Sequence, residues 1–154
     1  IGSQYTLRFT IIGPTEDNDY LQVCNDTIQK LPSNISVQFV GAKRSDEIDS
    51  LLCSQHVLLL PTRHENFGHV ILESLAHGCP VIISDRTPWN NLVQNKCGFD
   101  IPLEDPAKFI EAICFFANMS DQEFEDWSDK SQSYALNHYN NPVLIENMAN
   151  LFGT

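Results

Sequence analysis

Two uninterrupted apolar runs constrain the fold of this chain more than any other feature of its sequence. They are residues 57–60, "VLLL", and residues 81–83, "VII", and a proline adjoins each run. Continuous apolar runs of this length are typical of strands that are covered on both faces, as the strands of a parallel sheet are. Parallel neighbours need a crossover connection, commonly a helix, so the chain between the two runs is expected to form one.

Weaker strand patterns flank these runs and alternate with helical ones. "TLRFTIIG" and "ISVQFVG" show the two-residue alternation of strands, and "GFDIPL" is a weaker strand candidate. Helical spacing marks "DNDYLQVCNDTIQKLP", which stops at Pro32, and "SDEIDSLLCSQ", a short helix that Ser45 is expected to cap. Strands and helices in alternation predict an α/β fold with a Rossmann-like parallel sheet and helices on both faces.

The last third of the chain is predicted to be helical. Asp105 and Pro106 supply an N-cap and a first-turn proline for a helix to about Asn118, and Ser120 with Glu123 forms a capping box for the next helix. A final helix is predicted over residues 142–152. The second of these helices carries one stripe that is most simply core packing, made of Phe124, Trp127, Ser131, Tyr134 and His138.

Size and composition are those of a globular domain. The 154 residues, 42% of them apolar, suffice for one domain with a core, so residues 1–154 are predicted to form a single soluble domain. No apolar run approaches the ~20 residues of a membrane-spanning helix, and "IGSQYTLRFT" lacks the features of a signal peptide. The net charge of −11 has the wrong sign for nucleic acid. Five cysteines without a C-x-x-C pair favour reduced thiols and a cytosolic setting.

The stretch "PTRHENFGHVILE", which follows the first apolar run, is the candidate site. Ligands of open parallel sheets bind beyond the carboxyl ends of the strands. Gly68 permits close approach of a ligand, and the helix that begins near it offers unpaired N–H groups suited to a diphosphate. Glu65 and Glu73 are separated by ~12 Å of helical chain, too far for the ~5 Å of a retaining glycosidase pair. They fit better as two clamps for vicinal hydroxyls, so the stretch describes a nucleotide-sugar site.

This same stretch carries a family resemblance. "ENFGHVILESLAHGCPVI" resembles the E-x7-E signature of the retaining family 4 (group 1) glycosyltransferases, whose usual form is E-G-F-G-x-x-x-x-E-A-x-A-x-G-x-P-V-I. "FTIIGPTEDNDY", "ISVQFVG" and "SDRTPWNNLV...CGFDIPLEDPAKFIEAI" resemble the rest of the family's donor-binding domain, so the likeness covers nearly the whole chain. The resemblance implies the C-terminal half of a GT-B enzyme. Such an enzyme would transfer a hexosyl or N-acetylhexosaminyl unit, with a UDP-sugar favoured as donor, to a glycan or lipid-linked acceptor in O-antigen or capsule biosynthesis.

The resemblance also implies roles for individual residues. Glu65 would hold hydroxyls of the transferred sugar and is the expected catalytic residue, and Glu73 would hold the ribose diol. No bound metal or other cofactor is expected. The loop after "ISVQFV" would border the base through Gly41, Ala42 and Lys43. The motif would contact the sugar and the diphosphate, mainly through backbone N–H groups, at Asn66, Phe67, Gly68, His69 and Val70.

The sequence departs from the family mainly in what it lacks. In the family, a basic pair that neutralises the diphosphate lies upstream of the strand matching "TLRFTIIG". The first strand and helix of the donor domain and the whole acceptor-binding domain also lie upstream of that strand. The chain is therefore expected to be an N-terminally truncated donor domain with little activity by itself. The acceptor, and any peripheral contact with the inner face of a membrane, would come through the missing half of a cytoplasmic protein.

Other interpretations of the same residues stay open. Glu65 and Glu73 could be ordinary exposed acids, and Trp89 could line the donor site or simply pack in the core. His69, Glu73 and His77 share one helical face, although three ligands on a straight helix do not converge well on one metal ion. Rival functions are a nucleotide-sugar epimerase of the same architecture and a non-catalytic nucleotide-binding or interaction module. The chain has neither G-x-G-x-x-G nor G-K-[ST], so dinucleotide and P-loop sites lack support.

Overall fold

The structure is a computed structural model that describes residues 4–139. The chain divides into two compact units, which we call the first unit (described residues 4–48) and the second unit (described residues 49–139). The helix predicted over residues 142–152 lies outside the described residues. The elements are, in chain order, β1 (Leu7–Ile11), α1 (Asn18–Ile28), β2 (Ile35–Phe39), α2 (Ser45–Leu52), β3 (Leu58–Leu60), α3 (His69–Ala76), β4 (Val81–Ser84), β5 (Gly98–Ile101), α4 (Pro106–Ala117) and α5 (Asp121–Tyr139).

The first unit is a parallel pair of strands with the helix α1 between them. β1 and β2 pair along their whole length, from Leu7 opposite Ile35 to Ile11 opposite Phe39. The helix begins after Asp17, whose carboxylate accepts a hydrogen bond from the N–H of Tyr20 at 2.9 Å. No described residue of this unit is buried, and Ile11 and Phe39 are 43% and 40% exposed. The apolar side of the strand pair is therefore only partly covered within its own unit.

The second unit has a three-stranded parallel sheet in the order β3-β4-β5. All four residues of β4 are buried, which confirms the two-sided burial predicted from its apolar run. Val81 and Ile83 join one core cluster and Ile82 joins the other, because successive side chains of a strand point to opposite faces. α3 supplies Ile71 and Leu75 to the first cluster.

Helices cover both faces of this sheet, as predicted. The cluster opposite α3 is filled from α4, chiefly by Phe109 and Phe116. α5 contributes to both clusters, with Trp127 near its start in one and Ala135 near its end in the other. The sheet that bears the candidate site therefore has a hydrophobic core on each of its two faces.

Two details differ from the sequence-based expectations. The described strands form two separate sheets instead of one, because β2 pairs only with β1 among residues 4–139. Ser45 is not the cap of α2: the carbonyl of Arg44 accepts the N–H of Ile48 at 3.0 Å, and the N–H of Arg44 donates to the Glu47 carboxylate at 3.1 Å. The side chain of Glu47 thus reaches back to Arg44, the residue before the helix, so the N-cap lies one position earlier than predicted.

The caps predicted for the last two helices are confirmed. Asp105 accepts from the N–H of Lys108 at 3.3 Å at the start of α4. Before α5, the Glu123 carboxylate accepts the N–H of Ser120 at 2.8 Å, and the N–H of Glu123 donates to the Ser120 hydroxyl at 3.4 Å. No helix among the described residues is long and apolar enough to cross a membrane. The single-domain and truncation interpretations of residues 1–154 stay predictions.

Candidate functional site

The connection between β3 and α3 carries most of the predicted site residues. Its first part is tied to the last residue of β4 and to the segment that follows: the hydroxyl of Ser84 donates to the carbonyl of Thr62 at 2.5 Å, and the N–H of Glu65 donates to the carbonyl of Arg86 at 3.1 Å. Both segments follow the carboxyl ends of neighbouring parallel strands. The motif loop therefore lies at the edge of the sheet where ligands of such folds bind.

Gly68 occupies a position that only glycine suits. It is the buried N-cap of α3 and has a left-handed backbone, with φ 78°. A Cβ atom there would lie 2.7 Å from Cδ1 of Ile71 and 3.0 Å from Nε1 of Trp89. Both the backbone conformation and the lack of space explain the glycine. Its N–H donates to Oε1 of Glu65 at 3.1 Å, so the half-buried carboxylate is anchored at the start of the helix.

The first amides of α3 are left without partners. The carbonyl of Gly68 accepts the N–H groups of Ile71 and Leu72 at 2.9 and 3.2 Å, which begins the helical pattern. The N–H groups of His69 and Val70 have no hydrogen-bond partner among residues 4–139. Free N–H groups at the positive end of a helix dipole form an arrangement that an anion can use.

Glu73 has a backbone that is engaged and a carboxylate that is not. Its carbonyl accepts the N–H of His77 at 3.1 Å and lies 2.8 Å from Nδ1 of the same histidine, which must donate there. The half-buried carboxylate has no hydrogen bond or ion pair in the described part of the chain. His77 also lies 3.6 Å from Asp49, between Nε2 and Oδ1. Within residues 4–139, His69, Glu73 and His77 do not form a group that could hold a metal ion.

Trp89 and His138 form an aromatic cluster with Phe67 of the motif loop. The indole Nε1–H of Trp89 donates to the carbonyl of Phe67 at 2.6 Å. The imidazole of His138 lies against Trp89 with ring centroids 4.4 Å apart, and partial burial lowers the pKa of His138 below its usual 6.5. The exposed ring of Phe67 also contacts the imidazole of His69, with ring centroids 4.5 Å apart. Trp89 thus packs in the core and contacts the motif at the same time, which the sequence left undecided.

The remaining predicted residues are Asn66, in the motif loop, and three residues of the loop after β2. The side chain of the exposed Asn66 is hydrogen-bonded to Nε2 of His64 at 2.8 Å. Gly41, Ala42 and Lys43 belong to the first unit, where Lys43 forms an ion pair with Glu47 at 3.3 Å. The role of these three residues beside a base stays a prediction.

Fold and site together define an α/β protein with a candidate anion and hydroxyl site at the carboxyl edge of a parallel sheet. Residues 2–118 match the family described as "Glycosyl transferases group 1". This match covers more than half of the chain, so the chain belongs to that family of glycosyltransferases.

Similar proteins come from several organisms. An uncharacterized 41.2 kDa protein in the cps region of Klebsiella pneumoniae is 24% identical over 97% of this chain and 38% of its own length. The O-antigen biosynthesis glycosyltransferase WclY of Escherichia coli is 37% identical over 46% of this chain and 20% of its own. An uncharacterized glycosyltransferase of Methanocaldococcus jannaschii is 32% identical over 53% of this chain and 20% of its own. The chain thus spans well under half the length of these relatives.

A solved structure shows the same fold. WaaG, a glycosyltransferase involved in lipopolysaccharide biosynthesis, superposes with a TM-score of 0.58 at 18% identity, over 88% of this chain and 44% of its own. The likeness confirms the predicted fold class, an α/β fold of the GT-B kind with parallel strands and helices.

Proposed function

We propose that this chain is the donor-binding part of a retaining family 4 glycosyltransferase and that its E-x7-E residues bind a nucleotide sugar, with a UDP-sugar favoured. The full-length enzyme would transfer a hexosyl or N-acetylhexosaminyl unit to a glycan or lipid-linked acceptor in polysaccharide biosynthesis. One observation carries the proposal: the Glu65 carboxylate is anchored by the N–H of Gly68 beside the two free N–H groups that open α3. Family membership supports the reaction class, and the roles of WclY in O-antigen biosynthesis and of WaaG in lipopolysaccharide biosynthesis support a glycan product.

The diphosphate of the donor would lie at the start of α3. The N–H groups of His69 and Val70 are free to donate to its oxygens, and the helix adds roughly half a positive charge at this end. Arg86 is already engaged, by Glu104 at 2.6 Å and Asp85 at 3.3 Å. By resemblance to the family, most of the compensating positive charge is proposed to come from residues upstream of this chain.

The transferred sugar would be held by Glu65. One of its carboxylate oxygens accepts the N–H of Gly68, and this leaves accepting capacity for hydroxyl groups of the sugar. Because the carboxylate is fixed before the donor arrives, little reorganisation is needed in the reaction. The helix N-terminus would then stabilise the negative charge that develops on the leaving diphosphate.

The ribose would be held by Glu73, further along α3. Its carboxylate is half-buried and unpaired among the described residues, so both oxygens are free to accept hydrogen bonds from a ligand. Two adjacent hydroxyls can both donate to one carboxylate. A metal-independent reaction is part of the proposal, since helix N–H groups and upstream cations would neutralise the diphosphate.

Calorimetric titration tests the proposal. This chain, and a version extended upstream of its first residue, would be titrated with UDP, GDP and several of their sugars. Glu73→Gln is expected to weaken binding of nucleotide and nucleotide sugar alike by about tenfold to a hundredfold, the size of a lost charged hydrogen bond. Glu65→Gln is expected to weaken only the sugar-bearing ligands. Glu111→Gln, on the exposed face of α4, is the matched control and should bind as the unaltered chain does.

Two results would contradict the proposal. Absence of binding by both forms, with both shown to be folded, would favour a non-catalytic module. Conversion of a nucleotide sugar to its epimer without any acceptor would favour an epimerase of the same architecture.

A further inference from the structure

One peptide group of the motif is held at both ends by two different side chains. The carbonyl of Phe67 accepts the indole N–H of Trp89 at 2.6 Å, and the N–H of the same peptide, that of Gly68, donates to Glu65 at 3.1 Å. Trp89 comes from the segment after β4, whereas Glu65 comes from the loop after β3. The orientation of this peptide group is therefore set by two loops of the sheet edge together.

This orientation matters because the next residues open the helix. Gly68 has a left-handed backbone, and the free N–H groups of His69 and Val70 follow it directly. If the Phe67–Gly68 peptide rotated, the anchor of the Glu65 carboxylate would be lost and the first turn of α3 would shift with it. The geometry of the helix start thus depends on the contact with Trp89.

Trp89 itself is not placed to touch a ligand. Its side chain is only 4% exposed and lies between Gly68, His138 and Tyr134, with ring centroids 4.4 Å from His138 and 6.2 Å from Tyr134. The imidazole contact comes from α5, so the ring is held from two sides. A residue in this position acts on the site through the backbone.

We infer that Trp89 is a positioning residue of the donor site, which holds the Phe67–Gly68 peptide so that the Glu65 carboxylate and the free amides of α3 face one ligand. The inference rests on the proposed function. It assigns donor affinity in part to a core residue outside the E-x7-E motif.

Trp89→Phe tests the inference, because it keeps an aromatic ring and removes the N–H. It is expected to weaken nucleotide-sugar binding by about tenfold, because the carbonyl of Phe67 loses its hydrogen bond from the indole. The affinity ratio between a nucleotide sugar and its nucleoside diphosphate should also fall, since Glu65 loses its anchor. Trp127→Phe is the matched control: it makes the same change in the other core cluster, where the side chain is 8% exposed, and should leave both affinities unchanged.

A second measurement on the unaltered protein covers the case in which Trp89→Phe does not fold. The chain has two tryptophans, so its ¹H–¹⁵N spectrum has two indole N–H signals, and Trp127→Phe identifies them. A saturating nucleotide sugar should move the Trp89 signal and leave the Trp127 signal in place.

Three outcomes would overturn the inference. They are a Trp89→Phe protein that is folded and binds normally while Glu73→Gln weakens binding, a Trp89 signal that a saturating donor does not move, and an absence of nucleotide-sugar binding by both the unaltered chain and its form extended upstream. The third also overturns the proposed function, whereas the first two leave it intact.

Discussion

The two units of this chain are built from the same kinds of elements and differ in how far their apolar residues are covered. In the first unit, parallel strands and a helix leave every described residue at least partly exposed. In the second, Val81, Ile82 and Ile83 are fully buried between helices. Full burial of one such side chain contributes about 1.5–3 kcal/mol, so most of the hydrophobic stabilisation lies in the second unit. The E-x7-E residues belong to that unit, where a closed core can fix their positions.

The largest effect is expected from removing a core leucine. Leu75 is fully buried in α3, so Leu75→Ala should lower the free energy of unfolding by about 4 kcal/mol. Leu21 is the matched residue in the first unit, half-buried in α1, and Leu21→Ala should cost about 1 kcal/mol. Urea unfolding followed by circular dichroism compares the two variants. Equal costs would break the contrast between the units.

A glycine pair gives the next largest difference. A Cβ atom at Gly98 would overlap the carbonyl oxygen of Val81 in the neighbouring strand, so Gly98→Ala should cost about 3 kcal/mol by forcing β4 and β5 apart. Gly41, in the first unit, has a left-handed φ of 70° but no atom within 4 Å of such a Cβ, and Gly41→Ala should cost only about 1 kcal/mol. Thermal unfolding of both variants would show the difference. A larger loss for Gly41→Ala would contradict the account.

The two ends of α3 separate stability from binding. Gly68 and Gly78 both have left-handed backbones, with φ of 78° and 70°, so either change to Ala should cost about 2 kcal/mol. Only Gly68→Ala should also abolish nucleotide-sugar binding, because only Gly68 lies in the motif loop. Chemical unfolding and calorimetry on each variant measure the two properties independently. If only Gly78→Ala weakened binding, the ligand site would lie at the C-terminal end of α3, which would contradict the proposed site at its N-terminal end.

The smallest expected effect is on the pH dependence of stability. The pKa of Glu123 is lowered from 4.5 by hydrogen bonds from the backbone and the hydroxyl of Ser120, and the pKa of Glu47 is lowered by the Arg44 N–H and by Lys43. A carboxyl whose pKa falls on folding stabilises the protein fully above 4.5, and this stabilisation is lost as the pH drops through the lowered value. Glu123→Gln and Glu47→Gln should each flatten the acid side of the unfolding profile slightly. A profile that stays unchanged in both variants would show that these caps carry no charge-dependent stability.

Most local features were predictable from the sequence, although the cap of α2 lies at Arg44 and not at Ser45 as predicted. The pairing of distant segments was not predictable. The buried strand β4 and the caps at Asp105 and Ser120 depend on neighbours in sequence, and the structure confirms them. The division of the strands into two sheets depends on long-range pairing, which the alternation of residues does not determine.

The same distinction holds at the candidate site. A helix start after Gly68 follows from the motif, because the first N–H groups of any helix lack partners within it. The contact of Trp89 with Phe67 needs two loops to meet, and the ring of His138 comes from a third segment. Nothing in the order of residues from 84 to 92 signals this meeting.

Amide hydrogen exchange with and without a saturating nucleotide sugar tests the central claim most directly, on the chain extended upstream. Exchange is expected to slow at His69 and Val70, whose N–H groups have no partner among the described residues, and to stay unchanged in the buried strand β4. A nucleotide sugar that binds without slowing exchange at the start of α3 would contradict the claim that this helix end and Glu65 form the donor site.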